Sequence, residues 1–273
     1  MNDEMNNIDE VDLINEVDLI EPKKTLDLVI PLGTGATWNL ELKYVLRSWA
    51  KYCENLGKVF LVGKTDKIKA RYPWLKKVVI VDCDDPFSMN KDGNIIRKVI
   101  KVIDTQEVSD PFIRASDDQF LLKKTDSFPP MYSQDLAEKP REWWAKGSRW
   151  KNRLKRTHRI LWVKGKPVFN YEVHFPLETG HDFKQVMERY PYTKSIGYTI
   201  NTLYFNNALT EHTQAGDIRT MFEKPIHDKE EIAERLKGKT FLCYVGKTGD
   251  VALTPALKDV IMNKFKKKSK FER

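Results

Sequence analysis

Four short apolar runs, spaced so that helices fit between them, constrain this chain more than any other feature. They are Leu26-Asp27-Leu28-Val29-Ile30, Lys58-Val59-Phe60-Leu61-Val62-Gly63, Val78-Val79-Ile80-Val81 and the run that ends at Ser116. Continuous apolar strands are buried on both faces, and a sheet buried on both faces needs helices above and below it. The spacers supply them. Trp38, Leu42, Val45, Trp49 and Cys53 recur at three- and four-residue intervals, which predicts a helix from about Trp38 to Leu56, with Thr37 as its N-cap and Gly57 at its end. Ile95, Ile96, Val99 and Ile103 predict a second helix over Asn94 to Asp104. The expected fold is therefore α/β, a mainly parallel sheet flanked by helices.

The second half is less regular. Residues 167–174 read as a strand, Gly180 to Arg189 as a helix, and Tyr198 to Phe205 as either. Lys229 to Lys237 reads as helix and Thr240 to Val245 as strand. A last helix from about Pro255 runs into a basic segment, Lys264 to Lys270.

In open parallel sheets ligands bind beyond the carboxyl ends of the strands. Two candidate sites fall there. One is the loop Pro31-Leu32-Gly33-Thr34-Gly35-Ala36-Thr37, whose glycines would let backbone N–H groups approach an anion. It matches neither the dinucleotide fingerprint nor the P-loop, and a tight strand–helix turn explains it equally well. The other is Ser116-Asp117-Asp118-Gln119-Phe120. Adjacent carboxylates at the end of a buried strand are costly unless a positive charge neutralises them. A hard divalent cation, Mg²⁺ or Mn²⁺, is the usual solution and leaves positions open for phosphate. A solvated turn is the alternative, but two sites at carboxyl ends would face one crevice, and that favours the cation.

Asn94 and Arg97 share a helix face and would touch a base, ribose or pyrophosphate, if they are not simply a solvated face. Glu172, His174, His181 and Asp182 cluster later. His174 would complete a metal shell or orient phosphate, and Asp182 or Glu172 would act as general base.

Charge points to a partner. Residues 1–22 hold eight acidic residues and no basic one, so the rest of the chain carries twice the overall net charge of +8. Residues 139–166 contain eleven Lys or Arg, one Glu and four of the seven tryptophans. Arg149, Lys151, Arg153 and Arg156 would contact nucleic-acid phosphates while the tryptophans stack on exposed bases; the alternative is a basic helix with its tryptophans in the core. No run of 18 apolar residues and no signal peptide is present, and three scattered cysteines read as buried thiols, so a cytoplasmic location without membrane contact is expected.

The order of the segments 27–33, Trp38-Asn39, 41–48, Pro73-Trp74-Leu75, 94–98, 109–112 and 116–121 resembles the GT-A-type glycosyltransferases that phages use on hydroxymethylated DNA pyrimidines, a group associated with base hydroxylases. It also resembles the Stealth-type sugar-phosphate transferases of capsule synthesis, which share an Asn-Asp-Asp core and a later His-x-Pro element. Here His174-Phe175-Pro176 fits that element, and Ser116 stands where the Asn would be. The resemblance covers roughly residues 26–206. It implies a GT-A-like sheet with a basic Trp-rich insertion, an acidic flexible tail over 1–24 and a single domain over 25–273. Residues 25–125 would form the nucleotide-sugar half and 126–273 the acceptor half. Pro31, Gly33, Thr34, Asn94, Arg97 and Ser116 would hold the donor. Asp117 and Asp118 would hold Mg²⁺ or Mn²⁺, with Asp118 the direct ligand. Sugar would pass from a nucleoside diphosphate to a hydroxymethylpyrimidine in DNA. The alternatives are a sugar or sugar-phosphate transferase acting on a surface glycan and a non-catalytic nucleic-acid-binding protein.

Overall fold

The computed structural model describes residues 24–33, 40–140, 143–144, 148–194, 196–244 and 253–273. Thr34, Thr37, Trp38 and all of the acidic tail except its last residue lie outside them. The first half runs Leu26–Pro31 (β1), Glu41–Tyr52 (α1), Leu56–Gly63 (β2), Thr65–Arg71 (α2), Val79–Asp82 (β3), Lys91–Thr105 (α3), Phe112–Arg114 (β4) and Phe120–Leu121 (β5). The second half runs Met131–Tyr132 (β6), Gln134–Asp135 (β7), Arg149–Val163 (α4), Phe169–Asn170 (β8), Leu177–Thr179 (β9), Asp182–Glu188 (α5), Ile200–Ala208 (α6), Thr213–Gln214 (β10), Arg219–Phe222 (β11), Lys229–Leu236 (α7), Phe241–Tyr244 (β12) and Pro255–Lys264 (α8).

β1 is buried along its whole length because it is sandwiched in the middle of a five-stranded sheet, order β3-β2-β1-β4-β9. β2, β1, β3 and β4 are parallel, and β9 closes the edge antiparallel to β4. α1 packs Leu42, Val45, Leu46 and Trp49 inward, and α3 packs Ile96, Val99 and Val102. The architecture is the α/β sheet flanked by helices that the apolar runs demand. The chain builds β1, β2 and β3 outward on one side and then returns to place β4 on the other. Where the order reverses, between β1 and β4, the loops leaving the two strands diverge and leave a crevice.

A second sheet, β11-β12-β5, begins where the first ends. β5 follows Asp117-Asp118 directly and pairs antiparallel with β12. The Asp-Asp turn therefore joins two sheets. It is held on one side by Ala115 N–H donating to Val29 O at 3.1 Å, and on the other by Leu121 N–H donating to Ser48 Oγ at 3.1 Å.

Three expectations change. α1 ends at Tyr52 rather than near Leu56, because Leu56 already pairs with Leu26 in the sheet. The strand expected over 167–174 shrinks to Phe169–Asn170. Its neighbours bond to side chains of α6 instead of to a long ladder: Asn206 clamps both backbone groups of Phe169 (2.9 and 2.7 Å), and Thr202 Oγ1 accepts from Tyr171 N–H. Tyr198 to Phe205, ambiguous by pattern, contributes to that helix.

The last residues dock on α1 through Glu272, which pairs with Arg47 and, at 3.5 Å, with Lys43. Arg47 meets Glu272 bidentately at 2.8 and 2.7 Å, and its third nitrogen donates to Phe265 O and Lys266 O. Burial would raise the Glu272 carboxyl, but the Arg47 and Ser269 hydrogen bonds override it and hold the pKa at about 2. Breaking a buried pair strands the other charge, so Arg47→Ala should lose about 3–5 kcal/mol in urea unfolding at pH 7. A lowered carboxyl pKa stabilises the fold fully above the ordinary value of 4.5 and loses that contribution as pH falls toward 2. The gap between wild type and variant should close over that interval.

Candidate active site

Two hollows meet above the carboxyl ends of β1 and β4. The outer one, about 440 Å³, is walled by Pro31, Leu32, Gly33, Asp85, Phe87 and Asn94. The inner one, about 320 Å³, is walled by Asp92, Arg114, Trp150, Arg153, Glu172, His174 and Tyr244. Pro31, Lys91, Ile95, Ser116 and Asp117 line both, so the carboxylate turn sits at their junction. The first turn of α3 forms the opposite wall and brings the positive end of its helix dipole to the crevice.

The turn is tightly built. Ser116 Oγ donates to Asp118 Oδ1 at 2.6 Å, and Ser116 N–H donates to Gln119 Oε1 at 3.0 Å. Trp49 Nε1 donates to Gln119 O. Ser116 thus orients the second carboxylate, a role a residue with a short hydroxyl can fill. Burial, then the neighbouring Asp118, push the Asp117 carboxyl up to about 6. Burial and Asp117 push Glu41, at the start of α1, up to about 8, and the Tyr244 hydroxyl donates to its Oε1. Three carboxyl groups therefore feel one another in a poorly solvated space.

Lys98 is only 2% exposed, and its ammonium donates to Leu32 O at 2.6 Å and pairs with Asp85 at 2.5 Å. It fixes the exit from β1 beside the outer hollow. In the inner hollow Arg153 pairs with Asp92 at 2.7 Å, and Arg114 donates to Asn201 Oδ1. Burial pushes Glu172 up to about 7 and pulls Arg114 down to about 10. Glu172 Oε1 accepts from Thr202 N–H at 3.0 Å, and Arg114 Nε is buried without a hydrogen-bond partner. His174 takes a left-handed backbone, φ +56°, rare for a residue with a side chain, and burial lowers its pKa.

Of the residues singled out by sequence, Pro31, Gly33, Asn94, Ser116, Asp117, Asp118, Glu172, His174 and Arg153 line the two hollows. Thr34 lies outside the described residues. Asn94 spends its amide on both backbone groups of Phe87, each at 3.0 Å, so it shapes the wall rather than offering a free donor. Arg97 turns away to Asp84 and the Cys83 sulfur. Asp182 is corrected outright. β9 runs antiparallel to β4 and carries the chain to the amino ends of the parallel strands. There Asp182 accepts from Tyr204 Oη at 2.5 Å, and Gly180 and His181 lie near Asp110, which precedes β4. Asp182 faces the end of the sheet opposite the crevice. The four basic residues of α4 also part company: Arg153 points into the inner hollow, Arg156 covers the Tyr198 ring, Lys151 covers the Trp143 ring, and Arg149 is exposed.

Sequence reading missed Lys91, Lys98, Glu41, Arg114 and Tyr244. Lys91 and Lys98 look like solvated helix positions, and Glu41 like an ordinary first-turn acid. Their partners lie as far as 203 residues away, so no local pattern marks them.

No family model and no curated protein matches the sequence. Two solved structures of the galactosyltransferase LgtC match by fold, one in complex with donor and acceptor sugar analogs, the other an active-site mutant. Each is 11% identical, covers 88% of this chain and 95% of its own, and reaches a TM-score of 0.49. Likeness at that level carries no argument, and the functional reading rests on the crevice.

A carboxyl whose folded pKa is raised destabilises the fold once it ionises, so the penalty grows as pH rises from 3.8 through about 6. Asp117→Asn should therefore raise unfolding free energy by about 2 kcal/mol at pH 7.5 in chelator. The gain should vanish below pH 4, and paired denaturation curves at the two pH values check both.

Proposed function

We propose that this chain is a GT-A-type glycosyltransferase that transfers a sugar from a nucleoside diphosphate to a hydroxyl. The observation that carries the proposal is the position of Asp117 and Asp118, at the junction of two hollows and at the point where strand order reverses. A diphosphate laid there would bridge the hollows, with the nucleoside in the outer one and the sugar in the inner one. Residues 25–125 line the donor side of this arrangement, and the two halves of the chain share the lining of the acceptor side.

The residues fit a hard divalent cation. Their donors are carboxylate oxygens, and Asp117 is held above its usual pKa by burial and by Asp118, both of which a cation would offset. Among the described residues no group of three His, Cys, Asp or Glu is placed to hold a metal ion, so a cation here would rest on two carboxylates, with water and phosphate completing its shell. When bound, the cation supplies charge stabilisation for the leaving diphosphate. Asp118, oriented by Ser116, and Asp117 would hold it. Lys91 and the first turn of α3 face the same phosphates and add positive potential. Burial, then Arg219, lower the His174 pKa although Asp118 works against them, and its ring would orient the phosphate side of the inner hollow.

In the inner hollow the Arg153–Asp92 and Arg114–Asn201 pairs present donors and acceptors for sugar hydroxyls, and the unpartnered Arg114 Nε is a ready donor. Of the two carboxylates that the sequence offers as general base, Glu172 lines the hollow and Asp182 does not. Burial pushes the Glu172 carboxyl up to about 7, which suits accepting a proton from an acceptor hydroxyl.

We further propose DNA carrying a hydroxymethylpyrimidine as acceptor. The basic body and the acid-free helix along the inner hollow support it. The His174-Phe175-Pro176 element, with its left-handed histidine, favours a second reading in which the acceptor is a surface glycan.

The test is incubation with a panel of nucleotide sugars and hydroxymethylcytosine- or hydroxymethyluracil-containing DNA, followed by nucleoside mass spectrometry. A sugar adduct that needs Mg²⁺ or Mn²⁺ is expected. Asp118→Ala should reduce transfer at least about a hundredfold, as removal of a charge-stabilising group does. Asp182→Asn should leave the rate within about twofold. If the Asp182 variant fails and the Asp118 variant works, the site is misassigned.

A further inference from the structure

The unused feature is the outer side of α4. Helical periodicity turns Leu154, Thr157 and Leu161 into the core, and Trp150 and Arg153 toward the inner hollow. Lys151, Lys155, His158 and Trp162 fall on the neighbouring side at three- and four-residue steps. Their rings form a row with Trp143 and Trp144. Lys151 Nζ sits 4.4 Å over Trp143, and the centroids of Trp143 and Trp144 are 4.6 Å apart. Trp144 lies 4.9 Å from His158, which lies 6.1 Å from Trp162 with the planes 18° apart. Burial lowers the His158 pKa although Asp135 works against it, so the histidine enters the row as a neutral ring at pH 7.

The row ends in the open. Trp162 is 63% exposed and Val163 75%, which is unusual for side chains of their size. Residues 149–166 hold eight Lys or Arg and no acidic residue, and Arg159 is exposed beside the row. A helical rise carries the row about 16 Å from Lys151 to Trp162, starting next to the wall of the inner hollow.

We propose that this side of α4 is a track for single-stranded nucleic acid, with bases stacking on the Trp162 end of the row and phosphates on Lys155 and Arg159. The charge suits a polyanion. The exposed ring requires a flat partner with a free π face, which an unstacked base has and a paired duplex conceals. The track explains how an acceptor strand reaches the crevice, and in that sense it rests on the glycosyltransferase reading. It also binds without any donor and can be measured alone.

The experiment uses the full chain and a fluorescein-labelled oligothymidylate, read by anisotropy and by quenching of tryptophan emission, across a salt series. Hydrolysis of the nucleotide-sugar panel without oligonucleotide is measured in parallel. Trp162→Ala should weaken oligothymidylate binding about tenfold with the salt slope unchanged, since stacking is not a counterion effect. Lys155→Glu with Arg159→Glu should weaken binding and lower the slope by about 1.4. Both variants change exposed or half-exposed positions and should keep wild-type donor hydrolysis. The track is overturned if Trp162→Ala binds like wild type. It is equally overturned if a duplex of the same length binds as tightly as the single strand, or if a sulfated polysaccharide binds more tightly than the oligonucleotide. Oligonucleotide binding that behaves as stated, together with no turnover of any donor, would count against the enzyme and leave the track standing.

Discussion

Crowded carboxyl groups govern this molecule. Asp117, Asp118 and Glu41 converge where two sheets meet, in space too poorly hydrated to let all three ionise at little cost. Glu41 escapes by keeping its proton near neutral pH, and in doing so it joins α1 to the end of β12 through Tyr244. Asp118 is steadied by Ser116. Asp117 remains the strained member, at the one place that both hollows share. A fold selected for stability alone would carry a neutral side chain there. The surroundings make sense as preparation for a positive charge that arrives with an anionic ligand.

The sheet was legible because strands buried on both faces leave a signal that no neighbouring context can blur. Every strand from β1 to β4 lies where its apolar run stands. The Asp pair was legible for the converse reason: carboxylates at the end of such a run need an explanation. What stayed hidden was every long-range polar contact. Lys98 sits among Arg97, Lys101 and Asp92 and looks solvated, yet it is buried because its ammonium finds Leu32 O and Asp85. Nothing within a helical turn of Lys98 announces a carbonyl 66 residues earlier.

Asp182 shows how nearness in sequence misleads. It follows His174 by eight residues, and a compact loop would have kept the two together. Between them lies β9, whose three residues span about 10 Å and whose antiparallel pairing sends the chain toward the amino ends of the sheet. Glu172, on the near side of that strand, stays in the crevice. The direction of one short edge strand decides which of two plausible carboxylates lines the crevice, and periodicity cannot supply that direction.

The basic tryptophan-rich segment illustrates a different limit. Its composition offered either a core helix or a polyanion surface, and α4 turns one side into the core while leaving another basic and exposed. Leu154 and Leu161 anchor it, Arg153 and Trp150 wall the inner hollow, and the row ending at Trp162 faces outward. A helix has room for three such faces because successive residues turn about 100°, so side chains one or two positions apart need share no environment. Counting charges along the segment treats Arg149, Lys151, Arg153 and Arg156 as one group, whereas the helix assigns each a different neighbour. The division also gives α4 a reason to lie where it does. A rigid element that contacts the reacting end of a ligand on one face and a polymer on another holds the two in register, which a flexible basic loop would not do.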